Sequence, residues 1–119
     1  MDKPEVAYEL FKRVLPSDAK QEMFFVLPLD VKGRPLSLPI PATKGVVDQA
    51  PVHAREILKH AISRGAKSIV VAHNHPSGDD ATPSSEDAAV TQQLRQAAEI
   101  VSIPLKAHLV LGKDNFTAI

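Results

Sequence analysis

Cysteine and tryptophan are both absent from this chain of 119 residues. Without cysteine the chain can form no disulfide, no thiolate metal site and no cysteine nucleophile. The absence of cysteine fits a reducing compartment, and no apolar run is long enough for a signal peptide or a membrane span. We therefore expect a soluble, cytoplasmic protein with no membrane contact and a single domain over residues 1–119.

The chain also has no net charge and few aromatic side chains. The 14 basic residues balance the 14 acidic residues, and aromatic residues make up only 4% of the chain. A balanced chain exerts no long-range attraction on nucleic acid or on an acidic membrane. A nucleic-acid partner could still use a local patch, but the charge does not support one.

The hydrophobic pattern predicts an α/β fold with the order α-β-β-α-β-α-β-β, in which helices flank a mixed central sheet. The first helix ends at Pro16, and Glu22 to Asp30 alternates as a strand does. Pro28 has no N–H, which favours an edge strand or a bulge at that point. Leu36 to Ile40 is the predicted hairpin partner of this strand.

The second half of the chain alternates helices with strands. Pro51 opens a helix that Gly65 closes, and Ser68 to Ala72 is a short apolar run typical of a strand buried on both faces. The apolar stripes of the second and third helices comprise Ala54, Ile57, Leu58, Ala61, Ile62, Val90, Leu94, Ala97 and Val101. The other predicted elements are a helix after Pro83 and strands at Leu105 to Leu111 and Phe116 to Ile119. If the last strand is unpaired, it could pair with a second copy in a homodimer.

The segment Ala72-His73-Asn74-His75-Pro76-Ser77-Gly78-Asp79 carries the strongest functional signal. His73 and His75 lie where a buried strand enters a loop, and residues two apart on an extended segment point the same way. Asp87, in the first turn of the next helix, can reach the same point. Two imidazoles and one carboxylate suit zinc, and three protein ligands leave a fourth position for water, as in catalytic sites. We expect one Zn²⁺ per domain.

Each of these residues also has a purely structural interpretation. Ser84-x-x-Asp87 resembles a capping box, and the helix dipole favours an acid in the first turn whatever its function. A single buried histidine such as His73 more often packs than binds metal. The metal site is favoured because the joint pattern is far less expected by chance than either part.

Hydrolysis at such a site also requires a base that removes a proton from water. The composition leaves several acidic candidates. Glu22 is attractive because it opens the first strand beside a phenylalanine-rich segment that could desolvate it. The alternative for Glu22 is a solvated residue at a strand start.

These motifs resemble those of RadC-type MPN/JAB domains, the bacterial branch of the JAMM metalloprotease fold, which has a cytidine-deaminase-like architecture. The resemblance extends from Glu5 to the final strand. Besides the histidine segment it includes Glu22-x-Phe24-x-Val26-Leu27-x-Leu29-Asp30, Gly45-x-Val47-Asp48, Arg55-Glu56, Thr82-Pro83-Ser84-x-x-Asp87, and Leu105 with His108.

The resemblance implies a zinc-dependent hydrolase that cleaves a peptide or isopeptide bond of a protein substrate by attack of a zinc-bound water. It implies that Glu22 is the general acid/base and that Ser84 donates a hydrogen bond to the tetrahedral oxyanion. The implied zinc ligands are His73, His75 and Asp87.

The chain departs from the family pattern in three places. Eleven residues, Pro76 to Glu86, separate the second histidine from Asp87, where the family has ten. Counting alone would nominate Glu86, but the spacing from Thr82 onward is kept, which favours Asp87 and places the extra residue in the Asp79-Asp80-Ala81 loop. Ala107 stands where relatives usually have Asp. The N-terminal helix-hairpin-helix segment common in RadC proteins is missing, as in a short stand-alone form or a trimmed chain.

Two other functions fit less well. One is a metal-dependent nuclease associated with DNA repair, and the other is a non-catalytic MPN protein-binding module, a class that tends to lose the ligand set. The His-Asn-His tripeptide is not the HNH nuclease motif, and a zinc deaminase would need cysteines. Of the other histidines, we expect His108 to pack or to neighbour the site, and His53 and His60 to lie at the surface or its boundary.

Overall fold

The computed structural model describes residues 4–16, 21–44, 50–75 and 81–119. The element order is the predicted one, α-β-β-α-β-α-β-β. The elements are α1 (Pro4–Val14), β1 (Met23–Leu29), β2 (Ile40–Lys44), α2 (Ala50–Ser63), β3 (Ser68–Asn74), α3 (Ser85–Ile100), β4 (Leu105–Leu111) and β5 (Phe116–Ala118).

The five strands form one mixed sheet in the order β2-β1-β3-β4-β5. β3 and β4 are parallel, and the other neighbouring strands are antiparallel. The helix α1 packs on one face of the sheet, while α2 and α3 pack on the other. This is the predicted mixed α/β architecture with flanking helices. β5 forms one edge of the sheet, and a homodimer through this edge stays a prediction.

β3 is the central strand, and all seven of its residues are buried. The prediction of a strand buried on both faces is therefore confirmed. The strand also continues two residues beyond the predicted Ala72, so that His73 and Asn74 belong to it. A buried strand in mid-sheet holds its side chains rigidly, which fixes the first histidine of the predicted site.

The predicted hairpin partner of β1 was wrong. The partner is β2, which begins only at Ile40 and pairs with Met23 to Val26. The chain between the two strands turns tightly, because the Asp30 carboxylate accepts hydrogen bonds from the N–H groups of Lys32 and Arg34. Pro35 still forms an isolated antiparallel bridge with Leu29, but the regular ladder with β1 begins only at Ile40. Pro39, just before it, has no N–H to donate.

The prediction of an edge strand at Pro28 was also wrong, because β1 lies between β2 and β3. The Pro28 carbonyl accepts a hydrogen bond from the Leu36 N–H, on the side where β2 has already ended. The missing N–H of proline therefore removes no bond from the β1–β2 ladder. The β-bulge of this strand lies elsewhere, between Phe24 and Phe25.

Alternate strand residues build two separate cores, one on each face of the sheet. The α1 face includes Phe11, Phe25, Leu27, Val70, Ala72, Leu109 and Leu111. The α2–α3 face includes Phe24, Val26, Ile57, Val71, Leu94, Ala98 and Leu105. The period of two along β1 and β3 thus decides which residues can reach the functional site.

The predicted helix stripes were largely confirmed, with two exceptions. Ile62 is 55% exposed and Val101 is 39% exposed, whereas their neighbours Ala61 and Ala98 are fully buried. Both exceptions lie near the ends of their helices, where less of the neighbouring structure covers the apolar stripe. Gly65 ends α2 with a φ of 66°, the left-handed conformation for which glycine was predicted there.

No helix in the described part of the chain is both long and apolar enough to cross a membrane.

Candidate metal centre

The three predicted ligands come together in the structure. One nitrogen from each of His73 and His75 and one carboxylate oxygen of Asp87 all lie within 4.8 Å of one another. His73 and Asp87 are buried, while His75 is half-buried. This geometry could hold one metal ion.

β3 and the residue that follows it supply the two imidazoles. His73 is opposite Phe24 in the antiparallel pair, and their rings stack with centroids 5.0 Å apart. His75 follows the strand directly, two residues further on, so that both side chains face the α2–α3 side. The rigid half of the site is therefore a continuation of the hydrophobic core.

The third group is fixed by the start of α3. Ser84 is the N-cap residue, its Oγ accepts a hydrogen bond from the Asp87 N–H at 3.1 Å, and the Ser84 N–H donates to Asp87 Oδ2 at 2.8 Å. This is the complete capping box that the sequence indicated. Asp87 Oδ1 lies 2.9 Å from His73 Nε2, and Oδ2 lies 3.1 Å from His75 Nε2. Asp87 can therefore be a capping residue of α3 and a metal ligand at the same time.

Glu86, the reserve ligand, is exposed at the helix start and does not belong to the cluster. The choice of Asp87 over Glu86 agrees with this geometry. The loop predicted to carry the extra residue, at Asp79 and Asp80, lies outside the described residues.

A chain of buried hydrogen bonds fixes the proton positions behind His73. The Thr91 hydroxyl donates to the Asp87 carbonyl at 2.8 Å, because a carbonyl oxygen can only accept. The hydroxyl hydrogen is then used, so the adjacent His108 Nδ1–H must donate to Thr91 Oγ1. His108 Nε2 consequently carries a lone pair, which accepts the Nδ1–H of His73 at 2.7 Å.

Because Nδ1 of His73 carries the proton in this chain of bonds, the second ring nitrogen, Nε2, carries a lone pair. That nitrogen is buried, and among the described residues it has no hydrogen-bond partner, although Asp87 Oδ1 lies 2.9 Å away. The close approach therefore sets one acceptor against another, which is unfavourable unless a cation lies between them. The residues present thus fit a bound metal ion, and an imidazole oriented by a second hydrogen bond is the usual state of a metal ligand.

Two groups at the site have shifted pKa values. Burial, followed by the neighbouring His73 ring, lowers the pKa of His108 to about 3, so that this ring is neutral near pH 7. Burial raises the pKa of Asp87, but the contacts with the His73 ring, the Ser84 N–H and His75 outweigh it and hold the pKa below its ordinary value. The ionised carboxylate is the form of Asp87 that binds a metal.

The remaining two predicted residues lie at the same end of the sheet. Glu22 immediately precedes β1 and is half-buried. Because Phe24 is opposite His73, continuing the register brings Glu22 level with His75. Ser84 is exposed, and the bond that its oxygen accepts from Asp87 leaves the hydroxyl hydrogen able to donate elsewhere. Their catalytic roles stay predictions.

Sequence reasoning missed two buried polar residues at this site. Thr91 and Asn74 were not singled out, although Thr91 stands four residues after Asp87, on the same helix face, which was an available signal. His108 was expected either to pack or to neighbour the site, and it contacts His73 directly. The prediction for His53 was wrong, since this residue is buried with its ring 4.8 Å from Phe24.

The fold and the site together define a mixed α/β domain with a candidate metal centre of two histidines and one aspartate. The model of the RadC-like JAB domain matches residues 1–119. The chain belongs to the RadC-like JAB domain family.

Related proteins carry the family label UPF0758. The chain is 46% identical over 96 residues to a UPF0758 protein of Picosynechococcus sp., covering 81% of this chain and 39% of that protein. Identity is 37% over 119 residues with the Microcystis aeruginosa protein, which covers all of this chain and 48% of the relative. Identity with a Coprothermobacter proteolyticus protein is 39% over 118 residues, which covers 99% of this chain and 49% of that protein. The chain thus spans less than half the length of these relatives.

Proposed function

We propose that this domain is a zinc-dependent hydrolase of the JAMM class that cleaves a peptide or isopeptide bond of a protein substrate in the cytoplasm. The observation that carries the proposal is the position of His73 Nε2, which is buried 2.9 Å from Asp87 Oδ1 and has no hydrogen-bond partner among the described residues. Membership of the RadC-like JAB family supports the same function.

In this proposal His73, His75 and Asp87 hold the zinc ion. Neutral imidazole and carboxylate are ligands that zinc accepts, and three protein ligands are the number found in catalytic zinc sites. When bound, zinc supplies Lewis-acid chemistry, which polarises a carbonyl oxygen and makes water nucleophilic near neutral pH. Because His75 is only half-buried, the site is open to solvent on the side of this residue, and a substrate could approach from there.

Glu22 is the proposed general acid/base. Its carboxylate takes a proton from the attacking water and delivers it to the leaving amine, which would otherwise depart as an unstable anion. The position level with His75, at the end of β1, supports this role.

Ser84 is the proposed donor to the oxyanion that forms when the carbonyl is attacked. Its Oγ is held by the Asp87 N–H while its hydrogen stays available to donate. A donor fixed before the reaction stabilises developing charge without having to reorganise. The capping box therefore supports both a zinc ligand and this donor.

The test compares the parent with Glu22→Ala and, as a matched control, Glu9→Ala on the exposed side of α1. Zinc content is measured by elemental analysis, and hydrolysis is measured with a quenched fluorescent peptide library. We expect all three proteins to hold about one zinc, and Glu22→Ala to lose at least ~100-fold in turnover. Turnover retained by Glu22→Ala, or a parent that binds no zinc, would overturn the proposal.

A further inference from the structure

Asn74 is a buried polar residue at the end of the central strand, between the two histidines of the metal centre, and it is only 4% exposed. Its side chain makes two hydrogen bonds to the backbone of a segment more than fifty residues earlier. Asn74 Oδ1 accepts from the Met23 N–H at 2.7 Å. Asn74 Nδ2 donates to the Gln21 carbonyl at 3.2 Å.

These two bonds require a carboxamide. The Met23 N–H can only donate and the Gln21 carbonyl can only accept, so the partners fix which end of the side chain is oxygen and which is nitrogen. Aspartate in its ionised form could accept but not donate, and an apolar residue could do neither. The Asn74 side chain thus acts as a surrogate peptide group that extends the β1–β3 ladder past its last backbone pair at Phe24 and His73.

The residue between the two bonded backbone groups is Glu22. Its neighbours on both sides, Gln21 and Met23, are held by one side chain, so the backbone of Glu22 is fixed relative to β3. We propose that Asn74 is a positioning residue that holds Glu22 beside the metal centre. This inference rests on the proposed function, in which Glu22 is the general acid/base.

The placement of Asn74 explains why one residue can do this. It is flanked by His73 and His75, which lie on the opposite side of the strand from its own side chain by the alternation of β3. One three-residue segment therefore fixes two metal ligands and the residue proposed to act on the substrate. A displacement of about 1 Å between such groups is enough to slow catalysis markedly.

The experiment replaces Asn74 by leucine, which branches at the same carbon and has no hydrogen-bonding groups. Asn74→Ala, which is smaller, is the second variant if Asn74→Leu fails to fold. Asn115→Leu, in the exposed turn before β5, is the matched control. The ¹³C resonance of the Glu22 carboxyl is followed by NMR while one equivalent of Zn²⁺ is added. Zinc content and amide hydrogen exchange are measured on the same samples.

We expect every variant to keep its zinc. In Asn74→Leu the Met23 amide should exchange about tenfold faster, as for the loss of one hydrogen bond, with Leu27 unchanged. The response of the Glu22 carboxyl to Zn²⁺ should fall to less than half of the parent's. Turnover should fall about 10- to 100-fold through kcat rather than KM, with no further loss when Asn74→Leu is added to Glu22→Ala.

A full carboxyl response to Zn²⁺ in Asn74→Leu, or an additive loss of turnover in the double variant, would overturn the inference. These results are distinguishable from a failure of the proposed function. If Glu22→Ala keeps its turnover, the proposed function fails. If Glu22→Ala loses turnover while Asn74→Leu keeps it, only the role of Asn74 fails.

Discussion

The two faces of the sheet are built from alternate residues of the same strands, yet they follow different rules. On the α1 face, β3 contributes Val70 and Ala72 to a core of aliphatic and phenylalanine side chains. On the α2–α3 face it contributes Val71 and then His73, which connects to His108 and, through it, to Thr91. One face is held together by packing, and the other is held by packing plus a directed chain of hydrogen bonds.

This difference separates stability from chemistry. An apolar core accepts replacements of similar volume, because dispersion and burial have no direction. A buried donor–acceptor chain does not, since each member dictates the proton position of the next. Substitutions in the apolar core of the α1 face should therefore change the free energy of unfolding and leave metal affinity alone. Substitutions in the hydrogen-bonded chain on the α2–α3 face should change metal affinity.

The largest expected effect is at a ligand itself. His75→Ala should abolish stoichiometric zinc binding, because two remaining ligands cannot retain the ion. His60→Ala, on the outer side of α2, is the matched control and should keep about one zinc per chain. Elemental analysis after gel filtration gives both values. Equal zinc in the two variants would contradict the assignment of the site.

On the opposite face, Phe25→Ala should lower the free energy of unfolding by about 3–5 kcal/mol, because it leaves a cavity in a fully buried core. Urea unfolding measures this loss. The zinc affinity of the folded variant should stay within about twofold of the parent. A large change in affinity would show that the two faces are not independent.

Thr91→Val should weaken zinc binding about 10- to 100-fold, the range found when a group supporting a metal ligand is removed. The variant keeps the shape of the side chain but leaves His108 Nδ1–H without its acceptor, so the proton position on His73 is no longer fixed. Thr91→Ser, which keeps the hydroxyl, should bind as the parent does. Competition with a chromophoric chelator gives the affinities.

The smallest effect concerns pH in the metal-free protein. The pKa of His108 is lowered to about 3 in the folded state, against about 6.5 when unfolded. Below pH 6.5, His108 is therefore protonated in the unfolded chain but not in the folded chain. The free energy of unfolding consequently decreases as the pH falls. Between pH 6.5 and 5.5 this group alone should cost about 1 kcal/mol.

The His108→Gln variant isolates this contribution, because glutamine does not titrate. Its free energy of unfolding, measured in urea with a chelator present, should fall about 1 kcal/mol less than the parent's over the same interval. Parallel pH profiles of the two proteins would contradict a neutral, buried His108.

Much of the fold was predictable because its signals are local. Apolar periodicity located the helices and most strands, and Gly65 and Ser84 marked helix ends through their backbone preferences. The histidine pair and Asp87 were recognisable since each sits at a strand end or a helix start. The position of β2 was not predictable in this way, because it depends on a register with β1 that no local pattern specifies.

The supporting residues of the site could not be predicted from local pattern. His108 and His73 are 35 residues apart, and Asn74 and Met23 are 51 apart, so these contacts exist only once the strands are paired. A threonine or an asparagine in an element interior carries no sign of its partner. What the sequence shows of such a network is only its individual polar members among apolar neighbours.

The central position of β3 has a consequence for how an ion would enter. The His73 ring loses its rotational freedom when the sheet forms, and the Asp87 side chain loses its own when the first turn of α3 forms. The conformational entropy of these two ligands is thus lost when the chain folds, and not when the ion binds. Loading should accordingly leave the backbone almost unmoved, and the apo and metal-bound chains should superimpose closely along β3 and the first turn of α3.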